Sequence, residues 1–173
     1  MRDFYIFASR APIDGRKLTA AGTYPDFLTA RGQNASGNNY GLISSLGYLG
    51  RYQCGGEALQ AVGFYVVDGT AAIDLAGGWT SLAGGFGVFD KAGFLASSVA
   101  QDAAASAWFV RIGVDFDSLN LGRFAGGTVG AIPATTSGLL AGAQLVGVWA
   151  LRSFLECGGV IDTTDGYGTL VSQ

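Results

Sequence analysis

The chain has 173 residues, of which 49% are hydrophobic and only 13% are charged, with a net charge of −3. Because a soluble domain usually carries about 25% charged residues, this surface is short of charge. The acidic balance argues against a general nucleic-acid-binding protein, which normally presents a basic face. The simplest explanation for the missing charge is that other protein covers much of the surface.

The N-terminal third combines one apolar run with a long polar stretch. The apolar residues in segment 4–9 predict a short strand. This apolar run is too short for a secretory signal, so we expect synthesis in the cytoplasm without a signal peptide. Residues 10–56 are polar, glycine-spaced and weakly periodic, which is typical of a long loop or an extended arm. The length predicts a single domain, 1–173.

The middle of the chain alternates short apolar segments with turn residues. Residues 61–67 are rich in β-branched and aromatic side chains and stop at Asp68-Gly69, which predicts a hairpin with a returning strand at residues 70–75. We expect further short strands over four segments: 84–89, 108–116, 160–161 and 169–171.

One helix interrupts this series. Ser98 and Gln101 have capping-box spacing, and alanines then follow at helical intervals, so the pattern predicts a short helix over about residues 98–109.

Residues 125–151 contain no charge, yet glycines, a proline and polar residues interrupt them, so we expect no membrane span. Within this region and just beyond it, residues 139–155 fit either a helical stripe or a strand buried on both faces. Gly142 and Gly147 would each cost a helix interior about 1 kcal/mol, which favours the strand without excluding the helix.

The charged set itself indicates the fold class. Asp outnumbers Glu by eleven to two, and Arg outnumbers Lys by eight to two. Glu and Lys favour helices whereas Asp favours caps and turns, so long exposed helices are not expected. We predict a mainly β protein, an antiparallel β-sandwich or barrel of short strands.

The chemistry of common active sites is missing from the sequence. There is no histidine, which removes the usual general base and most transition-metal sites, and there is no phosphate-binding loop. Asp115 and Asp117 would share one face of a strand, but a solvent-facing strand end explains them better than a catalytic pair. Cys54 and Cys157 each precede Gly-Gly, and whether they pair stays open. We expect no enzyme activity, no cofactor and no metal site.

These observations together predict a structural protein that self-assembles or clads a larger protein assembly. The short Gly/Ala-rich segments are similar in style to minor capsid, decoration or tail components of bacterial viruses, which would place the chain in a virion. The expected partners are copies of itself and another structural protein, with no nucleic acid and no membrane. A carbohydrate-binding β-sandwich is the alternative, because three Trp could stack on sugars. The interface candidates lie where charge is scarcest: Val129, Ile132, Leu139, Leu140, Leu145, Val148, Trp149 and Leu151.

Overall fold

The computed structural model of this chain describes residues 23–69 and 74–172. It is about 51% helical and 9% strand, with two small two-stranded sheets, so the predicted β-sandwich or barrel is wrong. The expected strand at residues 4–9 lies outside the described residues, as do positions 70–73 of the expected returning strand.

The elements are mostly short helices joined by tight turns. In chain order they are α1 (Tyr24–Ser36), α2 (Gly56–Ala61), β1 (Tyr65–Val66), β2 (Gly78–Trp79), α3 (Ser81–Gly84), α4 (Lys91–Ala96), α5 (Ser98–Ser118), a 3-10 turn (Leu121–Phe124), β3 (Thr128–Val129), β4 (Ile132–Pro133), α6 (Thr136–Val146) and α7 (Val148–Glu156). Each sheet is an antiparallel pair, β1 with β2 and β3 with β4.

The chain divides into two compact units, and helix α5 contributes residues to both. The first unit spans Tyr24–Arg111 and packs around a core of aromatic and aliphatic side chains. Within that core the rings of Trp79 and Phe94 lie 5.4 Å apart. Side-chain caps start its short helices, since Thr80 accepts from the N–H of Ala83 and Asp90 accepts from the N–H of Gly93.

The second unit is described here over residues 112–172, and its core lies between the helices α6 and α7. Thr135 caps α6 by accepting from the N–H of Gly138 at 3.0 Å. Buried side chains from both helices and from the β3–β4 hairpin fill the interior: Val129, Leu139, Ala143, Leu151, Phe154 and Leu155.

The preferred strand at residues 139–155 is wrong, because the structure has two consecutive helices there. The glycines that argued against a helix have other roles. A Cβ at Gly142 would lie 3.2 Å from Cδ1 of Leu151, so this glycine permits close packing of α6 on α7. Gly147 has φ +82° and separates the two helices, so it sits in neither interior.

The predicted helix at 98–109 is present but continues to Ser118, which replaces the strand expected at 108–116. Phe109, Ile112 and Phe116 are buried at helical spacing, so the β-branched residues between them mark an exposed helix face. Successive residues of a helix turn by about 100°, which directs Asp115 and Asp117 to different sides. They do not form the shared face that a strand would give.

The other predicted strands are either shorter than expected or not formed. Of residues 61–67 only Tyr65–Val66 form a strand, and their partner is Gly78–Trp79 rather than residues 70–75. Residues 84–89 form the end of α3 and a turn, because Gly87 adopts φ +74°. No strand forms at 160–161, and from 169–171 only Leu170 makes an isolated bridge, to Thr164.

Residues 24–36 of the segment expected to be a loop or arm form helix α1, while residues 10–22 lie outside the described part. Pro25 fits the first turn of α1, where its missing N–H costs no hydrogen bond. Across the described ranges, no helix has both the length and the apolar character needed to cross a membrane.

Candidate functional site

All eight interface candidates fall in the second unit, where their burial separates them into two groups. Three of them are buried in the core of that unit and contribute to its folding: Val129, Leu139 and Leu151. The other five reach the surface to different extents: Ile132, Leu140, Leu145, Val148 and Trp149. Trp149 stands out, because 65% of this large aromatic residue is exposed.

The exposure of Trp149 follows from the two faces of helix α7. Leu151, Phe154 and Leu155 turn inward and are buried, whereas Trp149 lies on the opposite side near the start of the helix. Because the three buried side chains fix the rotation of α7, Trp149 cannot enter the core without unpacking them.

Three charged side chains form a linked group that begins at the indole of Trp149. The guanidinium of Arg152 lies over it, with Cζ 5.8 Å from the ring centroid. Arg152 Nε also donates to Glu156 Oε1 at 3.0 Å, and Arg123 Nη2 donates to the same oxygen at 2.9 Å. Hydrogen bonds from Arg152 and then Arg123 lower the pKa of Glu156. We call Trp149, Arg152, Glu156 and Arg123 the Trp149 surface.

The composition of the Trp149 surface suits binding rather than catalysis. Trp and Arg are among the residue types most enriched at the energetic centres of protein interfaces. The one carboxylate accepts from two guanidinium groups, which hold it ionised and leave it a poor proton donor or acceptor near neutral pH. The surface therefore offers an aromatic face and an excess of positive charge to a partner, because two guanidinium groups share one carboxylate.

Sequence reasoning missed a second constellation, which lies in the first unit around Arg51. Its Nε donates to Asn38 Oδ1 at 2.8 Å, and its Nη1 donates to Tyr40 Oη at 2.7 Å and to Asp102 at 3.2 Å. The hydroxyl of Tyr52 donates to the same carboxylate at 2.9 Å. We call these five residues the Arg51 network.

Gln101 lies beside this network and is fully buried. Its Oε1 accepts from the backbone N–H of Arg51 at 2.9 Å, and its Nε2 donates to the carbonyls of Tyr40 and Phe94 at 3.0 and 2.9 Å. The helix is capped instead by Ser97, whose hydroxyl accepts from the N–H of Ala100. The capping-box interpretation thus assigned Gln101 the wrong role.

The Arg51 network is built to hold the fold together. Its guanidinium is largely enclosed by its hydrogen-bond partners and by the rings of Tyr40 and Tyr52, whose centroids lie 5.3 and 5.1 Å away. Those partners come from the loop region that follows α1 and from α5, so the network joins distant parts of the first unit. Arg51 has no distinctive flanking motif, so no sequence pattern indicated this network.

Both cysteines are free thiols, so the structure contains no pairing of Cys54 with Cys157. Cys54 packs against the core of the first unit, and burial raises the pKa of its thiol to about 12. A thiol of that kind is a weak nucleophile at neutral pH. Within the described ranges, no group of three or more Cys, Asp or Glu side chains is placed to hold a metal ion.

Comparisons with family models, with curated proteins and with solved structures found no match for this chain. The expectation of a capsid, decoration or tail component therefore has no relative behind it, and its β-sandwich element is wrong.

Proposed function

We propose that this protein works by associating with copies of itself through the Trp149 surface, as a non-enzymatic structural component. The proposal rests mainly on the exposure of Trp149. This residue is 65% exposed, although Leu151 and Phe154 of the same helix are buried. Leaving an indole in water forgoes on the order of 2 kcal/mol of burial free energy, which an intermolecular contact would recover.

The shortage of charge supports the same proposal. With 13% charged residues, the chain has few groups to keep copies apart at high concentration. The partly exposed Leu145 and Val148 lie close to Trp149 in sequence and extend its apolar character. That the chain also binds another structural protein, as its composition indicates, stays a prediction.

Solution mass tests this proposal directly. Light scattering on the full chain at rising concentration is expected to give a mass well above 17.7 kDa. Trp149→Asp should return the mass to that of one chain, because it places a carboxylate in the contact. An acid in the first turn of a helix is favourable, so the fold should persist.

Phe89→Asp is the matched control, since Phe89 is an aromatic residue that is 76% exposed but belongs to the first unit. This variant should assemble as the unchanged chain does. A chain that stays monomeric at all concentrations, or two variants with equal loss of mass, would count against the Trp149 surface.

Carbohydrate binding is a second candidate function, favoured by the same indole. Sugar rings stack on exposed aromatic faces, and Arg152 and Glu156 supply a donor and an acceptor beside Trp149. Adding oligosaccharides while following tryptophan fluorescence separates the two functions. A saturable change in the fluorescence of the monomer, lost in Trp149→Ala, would require a glycan site.

A further inference from the structure

The segment that follows α7 has the chemistry to occupy the Trp149 surface. Val160 is 83% exposed and Ile161 is 64% exposed, although both are large apolar residues. Asp162 follows them directly in the chain, and Asp165 comes three residues later. We call residues 160–165 the acidic segment, because two carboxylates accompany its two apolar side chains.

The acidic segment is held in shape by its own hydrogen bonds. The N–H of Ile161 donates to Cys157 Sγ at 3.2 Å. Asp162 Oδ1 accepts from the N–H of Val171 at 3.1 Å, and Asp165 Oδ1 accepts from the N–H of Thr169 at 2.8 Å. A segment already fixed by such bonds loses little conformational entropy when a partner covers it.

Charge distinguishes the Trp149 surface from the acidic segment. Arg123 and Arg152 are the only basic residues in positions 112–172, and both belong to the Trp149 surface. The acidic segment carries two Asp and no basic residue. Each of these two places on the second unit thus combines exposed apolar side chains with charge, which is positive at the Trp149 surface and negative at the acidic segment, where both Asp are half-buried.

A symmetric contact of two Trp149 surfaces is disfavoured by the same charges. It would bring four guanidinium groups together with only two carboxylates, and like charges in an interface are repulsive. Contact with the acidic segment instead supplies two carboxylates to the two arginines. Trp149, Val160 and Ile161 all remain exposed within one chain, so the segment does not cover the surface of its own copy.

We infer that the acidic segment of one copy docks on the Trp149 surface of the next copy, in a head-to-tail contact. This inference rests on the proposed function, because it names the occupant of the same surface. The resulting pair then keeps one unused Trp149 surface on one copy and one unused acidic segment on the other, so assembly continues into a ring or an open chain.

Mixing two variants tests the head-to-tail contact. Trp149→Asp removes the surface and keeps the segment, whereas Val160→Lys with Ile161→Lys keeps the surface and adds repulsive charge to the segment. Each variant alone should be monomeric in sedimentation velocity, with self-affinity reduced about tenfold or more. A one-to-one mixture should form a heterodimer that grows no further, because only one intact pair of faces remains.

The possible failures are distinguishable. If the lysine variant assembles like the unchanged chain while Trp149→Asp is monomeric, the acidic segment is not the occupant, yet the Trp149 surface stands. If both variants are monomeric and their mixture gives no heterodimer, the head-to-tail inference is also overturned. If Trp149→Asp itself assembles normally, the proposed function fails. If the lysine variant has a lower unfolding midpoint than the unchanged chain, Val160→Ser with Ile161→Ser is used in its place.

Discussion

The side-chain oxygen of Gln101 accepts a hydrogen bond from the backbone N–H of Arg51, fifty residues earlier in the chain, at 2.9 Å. The amide nitrogen of the same side chain donates to the carbonyl of Phe94 at 2.9 Å. A single buried side chain therefore satisfies both a backbone donor and a backbone acceptor, which would be costly to leave unpaired.

Gln101→Leu should destabilise the protein by about 3 kcal/mol or more, because leucine fills the space but leaves those backbone groups without partners. Urea unfolding followed by circular dichroism measures the effect. Gln33→Leu, on an exposed position of α1, is the control and should cost about 1 kcal/mol or less, since it loses only one exposed hydrogen bond, from Asn38. Equal effects of the two substitutions would contradict the role given to Gln101.

Gly50 lies against the same amide, with φ +69°, and a Cβ there would overlap the side chain of Gln101. We expect Gly50→Ala to cost about 2–4 kcal/mol, from backbone strain and from the overlap together. Gly37→Ala isolates the strain, because Gly37 has φ +64° but no atom within 4 Å of the added Cβ.

In a double-mutant cycle, Gly50→Ala should cost less when Gln101 is already alanine, with a coupling of about 1 kcal/mol or more. Additive effects in that cycle would show that the two residues do not compete for space.

Stability should fall as the pH rises above about 9. Burial raises the pKa of Cys54 from 9.0 to about 12, and burial together with Asp102 raises the pKa of Tyr52 above its usual 10.0. The unfolded chain loses these protons first, so the folded state is stabilised below the unfolded pKa values and loses that advantage between them and the folded values.

Urea midpoints measured from pH 8 to 11 check this prediction. Cys54→Ala should remove the part of the decline that begins near pH 9, and Tyr52→Phe the part that begins near pH 10. A midpoint that stays constant to pH 11 would be inconsistent with both buried groups.

Self-association should weaken as salt rises from about 0.05 to about 0.5 M, because the proposed contact pairs arginines with carboxylates near solvent. Sedimentation measures the dissociation constant at each salt concentration. Arg152→Gln should flatten the dependence, since it removes one guanidinium from the Trp149 surface. Association that strengthens with salt would indicate a purely apolar contact.

Local sequence patterns predicted the positions of secondary-structure elements better than their type, helix or strand. The pattern at 98–109 predicted a helix correctly, because its alanines leave no competing signal. From Val110 onward β-branched residues obscured the same helix, although Ile112 and Phe116 keep its spacing. Only the tertiary packing shows that the valines of this stretch face outward.

The glycines misled the interpretation of residues 139–155 for a related reason. A propensity scale counts every glycine against a helix. Gly147 instead ends one helix and begins the next, and Gly142 lets Leu151 approach closely. Trp149 was nevertheless among the interface candidates, because the charge shortage around it is visible in sequence. The link from Arg152, which lies over this indole, to Glu156 and Arg123 depends on the fold.

Solvent access to Trp149 in the assembled protein reports whether the Trp149 surface forms the contact between copies. Hydroxyl-radical labelling read by mass spectrometry reports the indole and the ring of Phe89 in one experiment, at low and at high protein concentration. Labelling of Trp149 should fall as the mass rises, whereas labelling of Phe89 should stay constant. A rising mass with undiminished labelling of Trp149 would contradict the claim that this surface forms the contact.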